Sequence, residues 1–312
     1  MREVAVTEGD KIEAQIKFGW QVNTWGIGDL ASRYAKVNDE QAEKLVKEYE
    51  ASYELAVELQ KPGMARSAML EQAKIEIALK EMLIAEGAGA FTTTFQDLHG
   101  LPQLPGLASQ RLMEQGYGFG AEGDWKQSML TRAAKIMAAG LSGGVSFMED
   151  YTYHFEPGNE SALGSHMLEI CPSIADSKPR IEVHSLSIGG KANPARLVFN
   201  AAAGPAVLAT LIDLGSRFRM IVNEVEAIKI EHDMPKLPVA RAMWKPYPSL
   251  SEAAESWILS GGTHHSVYSS ALTAEYFRDW ARMSGIEFVL IDRNTKADRL
   301  QDELRWNEAY WS

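Results

Sequence analysis

Two glutamates and three histidines, far apart along the chain, carry the side chains best suited to chemistry: Glu122, Glu149, His166, His264 and His265. Glu149 lies in the run Gly143-Gly-Val-Ser-Phe-Met-Glu-Asp-Tyr-Thr-Tyr-His-Phe155. On a pleated strand side chains alternate between faces, so Phe147, Glu149, Tyr151 and Tyr153 are predicted on one side, with Met148, Asp150, Thr152 and His154 on the other. A carboxylate among aromatic side chains is costly to bury unless something positive pairs with it, and a metal ion is one candidate. Gly164 and Ser165 turn the chain into the apolar run Met167 to Cys171, predicted as a second strand with His166 at its mouth. Glu122 stands just ahead of a predicted helix start, where exposed N–H groups favour a carboxylate, so capping and ligation compete there. His264 and His265 follow Gly261-Gly262-Thr263. Adjacent histidines diverge, so one can hold a metal while the other meets substrate or a further carboxylate. Carboxylates with imidazoles suit Mn(II), Co(II) or Mg(II) better than a thiolate-loving metal, since Cys171 is the one cysteine. Spacing this long does not by itself separate ligands from structural residues.

The elements that must position these residues fall into two groups. At 312 residues the chain has room for two domains and a sizeable core without disulfides. Its 46% hydrophobic and 23% charged residues are those of an ordinary globular protein, and no stretch reaches eighteen consecutive apolar residues, which excludes a membrane span. The first residues lack the basic start and apolar core of a secretory signal, so cytoplasmic residence is the expectation. A formal charge of -11 disfavours binding to a nucleic-acid backbone and suits small neutral ligands or metal cations.

In the first group, residues 2–6 are a strand candidate, Ile12 to Phe18 is helix-like and Trp20 to Trp25 is β-prone. Asn38 with Gln41 reads as a capping box opening a helix with Ala42, Leu45, Val46, Tyr49 and Tyr53 on one face, stopped at Pro62-Gly63. A second helix carries Ile75, Ala78, Leu79, Met82 and Leu83 and ends at Gly87. Ala88 to Phe95 is a buried-strand candidate. It leads to Gln96-Asp97-Leu98-His99, where Asp97 and His99 are either turn residues or ligand-side chemistry at a strand end. A helix follows Pro105. The glycines of Gly116 to Gly123 would let backbone approach a ligand closely, although their spacing is not a dinucleotide fingerprint. Asp124 with Gln127 reads as another capping box, opening a helix with Met129, Ala133, Ile136 and Met137 on its apolar side.

A boundary is predicted at Gly140 to Gly144, giving an α/β domain over 1–142 and a β-rich domain over 143–312. Beyond it come β-prone runs at 149–155, 167–171, 181–188, 196–199, 206–211 and 218–228, separated by Pro157-Gly158, Gly189-Gly190, Gly204-Pro205 and Gly215. That spacing suggests an antiparallel sheet closing into a barrel or a sandwich. Helices return at 251–259 and 271–283, followed by a strand at 286–292 and a last helix.

At the chemical residues the sequence resembles the L-arabinose isomerase family. Met1-Arg-Glu-Val-Ala-Val-Thr-Glu-Gly-Asp-Lys11, Lys17-Phe-Gly-Trp-Gln-Val-Asn-Thr-Trp25, Phe91-Thr-Thr-Thr-Phe-Gln-Asp-Leu-His-Gly-Leu101 and Glu122-Gly-Asp-Trp-Lys126 all look like that family. So do Ser146 to Phe155, Gly164 to Ser173, Gly261-Gly-Thr-His-His265 and Leu304-Arg-Trp-Asn-Glu308. The resemblance implies a manganese-dependent aldose–ketose isomerase, L-arabinose to L-ribulose and D-galactose to D-tagatose. Glu122, Glu149, His166 and His265 match the metal ligands, Glu122 and Glu149 the proton-transfer pair, and His264 a substrate contact. It also implies a Rossmann-like α/β domain followed by an antiparallel β-barrel-like domain with appended helices, as in the fucose and arabinose isomerases, and a homo-oligomer. Family members ordinarily carry a further N-terminal α/β domain, so the chain reads as a short form. The rival readings are an isomerase or epimerase of another sugar and a non-catalytic sugar-binding relative.

Overall fold

The computed structural model describes residues 5–311. After a 3-10 turn at Ala5–Thr7 come α1 (Lys11–Phe18), α2 (Ile27–Tyr34), α3 (Asp39–Ser52), β1 (Glu54–Leu55), α4 (Met64–Ala85) and β2 (Ala90–Thr93). Then follow α5 (Gly106–Glu114), β3 (Gly118–Ala121), α6 (Trp125–Met137), β4 (Val145–His154), β5 (Ser161–Ser165), β6 (Arg180–Val183) and β7 (Ala195–Val198). The chain continues through β8 (Gly204–Asp213), β9 (Phe218–Ile228), β10 (Arg241–Pro246), α7 (Leu250–Leu259), β11 (His265–Ser269), α8 (Ala274–Ser284), β12 (Glu287–Ile291) and α9 (Ala297–Trp311).

Local signals place several of these elements. The capping box at α3 forms in full: Asn38 Oδ1 accepts from the Gln41 N–H at 2.9 Å, and the Asn38 N–H donates to Gln41 Oε1 at 3.0 Å. The helix stops at Ser52 rather than at Pro62, because Tyr53 turns extended and β1 joins β6 in parallel pairing. Of the strand expected over 2–6, the described part is a 3-10 turn and the rest lies outside the described residues. The 20–25 string is irregular up to α2: Trp20 packs on Trp280, with ring centroids 5.7 Å apart, instead of joining a ladder. The inner face of α6 is Trp125, Leu130 and Ala134, one position out of step with the expected stripe, and Ile136 is exposed.

β2, α5 and β3 form a βαβ unit with parallel pairing of Phe91 to Phe119, and α6 packs across it. The glycines of β3 serve that packing and not a ligand. A Cβ on Gly118 would stand 2.1 Å from the Ser128 carbonyl oxygen, and one on Gly120 would stand 2.3 Å from that of Asp124.

The largest sheet runs β10-β5-β4-β11-β8-β9-β12, and β10 pairs with β9 as well as with β5. Pairings within it are antiparallel except β9 with β12, which is parallel. β10 and β11 are absent from the sequence-based expectation. The run expected as a strand from Met167 to Cys171 is irregular, and its place beside β4 is taken by β5, Ser161–Ser165. One core cluster joins Val46, Tyr49 and Met69 from the helical half to Met148, Trp244 and Tyr268 from the sheet, so the two halves share an interior. The whole is a mixed α/β fold with parallel and antiparallel sheets. Among the described residues no helix is long and apolar enough to cross a membrane.

Candidate active site

Strand register assembles the centre of the site. His265 on β11 stands opposite Glu149 on β4, and Glu149 stands opposite Ser165 on β5. Residues directly opposed in an antiparallel pair project to the same face. The chain leaves β5 at Ser165, and His166 falls on the same side, with its ring edge-on to Phe147 at 5.2 Å. The His265 ring also lies edge-on to Phe147, at 4.9 Å. Phe147 thus packs against both imidazoles, whose centroids are 5.9 Å apart.

Glu122 enters from the other half of the chain, at the turn between β3 and α6. Its φ of 58° is in the left-handed region, and Gly123 follows at 82°. A non-glycine residue there is uncommon and costs roughly 1–2 kcal/mol. The turn carries the carboxylate to 3.6 Å from His264 Nε2 and 3.9 Å from His265 Nε2. Among the described residues, Glu122, His264 and His265 form the group whose candidate ligand atoms lie within 4.8 Å of one another. Glu149 and His166 stand outside that tightest group. Both line, with Glu122, a cavity of about 250 Å³ walled by Tyr151, Met167 and Leu186. His264 faces a neighbouring small pocket beside Asp150.

The alternation expected along β4 holds as far as Tyr151 and fails at Tyr153, beyond the β4–β5 register shift between Asp150 and Thr152. Tyr151 lines the cavity beside Glu149, its hydroxyl 2.9 Å from Met167 Sδ, while past the shift the Tyr153 hydroxyl donates to Asp150. In the loop after β2, Phe95 and Leu98 line the cavity, while Asp97 and His99 are exposed.

Two carboxylates that sequence reasoning missed fix the imidazoles. Asp124 Oδ2 lies 2.9 Å from His265 Nδ1, and Glu169 Oε2 lies 2.5 Å from His166 Nδ1. Each His then presents Nε2 as its remaining nitrogen. Asp124 also caps α6, its Oδ1 accepting from the Gln127 N–H at 3.0 Å; the Gln127 side chain does not complete the expected box. The signal for Glu169 was its place three residues after His166. Asp124 sent only its cap signal.

Electrostatics separate the two cavity glutamates. The polar contact with His264 holds Glu122 below the usual carboxylate range, with His265 and His166 adding to it against the effect of burial. Burial pushes Glu149 upward, opposed by His166 and His264 and assisted by the negative charge of Glu122. Burial lowers His265 despite its Asp124 partner, whereas Glu169, Glu149 and Glu122 outweigh burial at His166 and raise it. His265 Nε2 is buried and has no hydrogen-bond partner, an arrangement that calls for a ligand. Oxygen and imidazole donors around such an orphaned nitrogen can hold a divalent cation.

The comparisons with known proteins agree in direction. Residues 1–140 match the model of the L-arabinose isomerase central domain, and residues 144–287 match that of the L-arabinose isomerase C-terminal domain. The L-arabinose isomerase of Thermotoga petrophila is 60% identical over 311 residues, covering 100% of this chain and 62% of that protein. That of Geobacillus stearothermophilus is 59% identical over 311 residues with the same coverages. L-arabinose isomerase 1 of Bacillus licheniformis is 60% identical over 309 residues, covering 99% of this chain and 62% of its own. The chain thus spans a little over three fifths of the length of the curated relatives it matches.

Proposed function

The chain belongs to the L-arabinose isomerase family, and from that premise we propose that it is a metal-dependent aldose–ketose isomerase converting L-arabinose to L-ribulose, and D-galactose to D-tagatose. One observation carries the reading. Glu122, Glu149 and His166, from distant parts of the chain, line one cavity, and Glu122 also stands 3.9 Å from His265 Nε2, which is buried and left open.

Glu122, Glu149, His166 and His265 are the residues that would hold the cation, with Mn(II) favoured and Co(II) or Mg(II) as substitutes. A bound cation supplies stabilisation of negative charge on the sugar oxygens as the neighbouring carbon loses its proton. The remaining work belongs to the protein. Glu122 and Glu149 are the proton-transfer pair, moving a hydrogen from C2 to C1 through a cis-enediol. Their environments hold one carboxyl low and the other high, the division of labour that paired acid–base groups need. Such groups are typically each worth a hundred- to ten-thousand-fold in rate, roughly. His264 contacts a sugar hydroxyl from the neighbouring pocket, and Tyr151 and Met167, which line the cavity, restrict water around the reacting carbons.

We also read the chain as two domains, 1–142 and 143–312. The supports are the glycine-rich segment at 140–144 and the junction of the two family models there. The βαβ unit supports a Rossmann-like first domain. The pairing of β10 with both β5 and β9 supports a barrel in the second, since it returns the strand circuit to its start. A homo-oligomer in the cytoplasm completes the proposal.

The test is an assay of purified, metal-stripped protein with L-arabinose and D-galactose, before and after Mn(II) is restored. Ketose formed only after restoration supports the reading. Sugar binding without ketose at saturating Mn(II) would make the chain a non-catalytic relative.

A further inference from the structure

His265 is held at both ends from the first turn of α6. Its ring is held through Asp124, the residue that caps that helix. Its backbone is held through a longer path. The Gln127 side-chain amide donates to Thr210 Oγ1 at 2.7 Å and to the Leu211 carbonyl at 3.0 Å. Thr210 Oγ1 lies 3.1 Å from Thr263 Oγ1, and the Thr263 hydroxyl donates to the His265 carbonyl at 2.9 Å. The direction of donation is fixed by chemistry. An amide nitrogen only donates, so the Thr210 hydroxyl accepts from it and passes its own hydrogen to Thr263, which passes its own to His265.

This path runs through the interior: Gln127 and Thr210 are both 0% exposed. Its far end is pinned too, since the Trp257 indole N–H donates to the Thr263 carbonyl at 2.9 Å. Gly262 admits that indole, because a Cβ there would lie 2.3 Å from its ring. A valine at 210 would pack almost as well and would form β-structure as readily. Packing therefore does not explain the hydroxyl, and a hydrogen-bonded threonine pair between β8 and the turn before β11 does.

We infer that Gln127, Thr210 and Thr263 are positioning residues that set where His265 Nε2 points into the site. The inference rests on the metal-dependent reading given above. Loss of one link leaves the Asp124 arm intact, so the ring keeps its tautomer while its backbone anchor loosens. The effect falls on cation affinity.

The experiment titrates Mn(II) into the full chain and reads free Mn(II) by electron paramagnetic resonance, alongside thermal unfolding of the metal-free protein. Partners that orient a liganding imidazole typically change metal affinity roughly ten- to a hundredfold. Thr210 acts one link further out, and Thr210→Val is expected to weaken Mn(II) binding about tenfold. Thr210→Ser should restore it, and Gln127→Met should weaken it in the same direction. At saturating Mn(II), KM for L-arabinose should stay within about twofold of the unaltered protein. Unchanged Mn(II) affinity in a folded Thr210→Val would overturn the inference, as would a Thr210→Ser variant as weak as the valine, which would mark the methyl group as the feature that matters. If Thr210→Val does not fold, Gln127→Met and Thr263→Val decide the question by the same reading. An unaltered protein that binds no Mn(II) would instead sink the metal-dependent reading, and this inference with it.

Discussion

Two kinds of buried charge coexist in this molecule. Between α3, α4 and α5, Glu76 accepts from Tyr49 at 2.7 Å, from Arg111 Nε at 2.9 and 3.1 Å and from Gln115 at 3.0 Å. Arg111 also donates to the Tyr53 hydroxyl at 3.2 Å. Glu287 is closed in the same way by Arg217 at 2.6 Å, Arg219 at 2.9 Å and Asn307 at 3.0 Å. At the cavity, by contrast, no side chain among the described residues donates a hydrogen bond to Glu149, and His265 Nε2 has no partner. A closed cluster is complete as it stands and contributes to one folded arrangement. An open one carries donor capacity that only a ligand can use. The difference assigns structure to the first kind and chemistry to the second.

That assignment breaks most easily at Glu149. Glu149→Gln keeps the shape and removes the charge, and isomerisation is expected to fall by roughly a thousandfold or more, with thermal unfolding almost unmoved. Full activity in a folded variant would remove Glu149 from the mechanism. Arg111→Met should behave in the opposite way. It strands Glu76 in the interior, so the protein should lose about 3–5 kcal/mol in a denaturant titration, while whatever remains folded binds Mn(II) as before. Weakened metal binding there would show that the closed cluster also serves the site.

Acid stability sharpens the contrast. Burial pushes Glu287 upward, but Arg219 and Arg217 outweigh it and hold the carboxyl below its ordinary range. A depressed carboxylate contributes stability that is fully present above its unfolded value, about 4.3, and is lost as pH falls through the folded value. Glu287→Gln should therefore cost about 3 kcal/mol near neutrality, and the difference from the unaltered protein should shrink steadily below about pH 4.3. A difference independent of pH would refute the charge-based account. The smallest effect on stability is expected at Glu122. Glu122→Gly relieves the left-handed backbone and should raise stability by about 1 kcal/mol while abolishing activity. A drop in stability would mean that the glutamate contributes to the fold as well as to the site.

What the sequence made legible follows the same division between local and distant causes. The Asn38–Gln41 cap and the end of α4 near Gly87 depend on neighbours in the chain, and both stand as read. The identities of Glu122, Glu149, His166 and His265 came through resemblance in long motifs; their spacing alone left ligand and structural roles open. Hidden were the features decided by remote partners. Gly118 and Gly120 read as ligand-facing freedom, yet they answer to the backbone of α6. Asp124 was invisible as an imidazole partner, since nothing local tells a capping aspartate which ring will arrive from residue 265, and the place of Glu169 three residues after His166 went unread. The shift at Tyr151 needed knowledge of β5, and β10 was obscured by Arg241, Lys245 and Pro246 in a short run.

The pairing of β4 with β11 turns the site into a matter of whole numbers. Glu149 meets His265 because the ladder between Val145 and Glu149 holds one alignment. Moving β4 by a single step would turn the glutamate to the opposite face and bring Met148 or Asp150 to the front, and moving β11 would do the same to His265. Lengthening the Gly140–Gly144 connection should be tolerated, because the slack can loop outward. One residue inserted between Phe147 and Glu149 should not be: it would leave every donor in the chain and still dismantle the place where they meet.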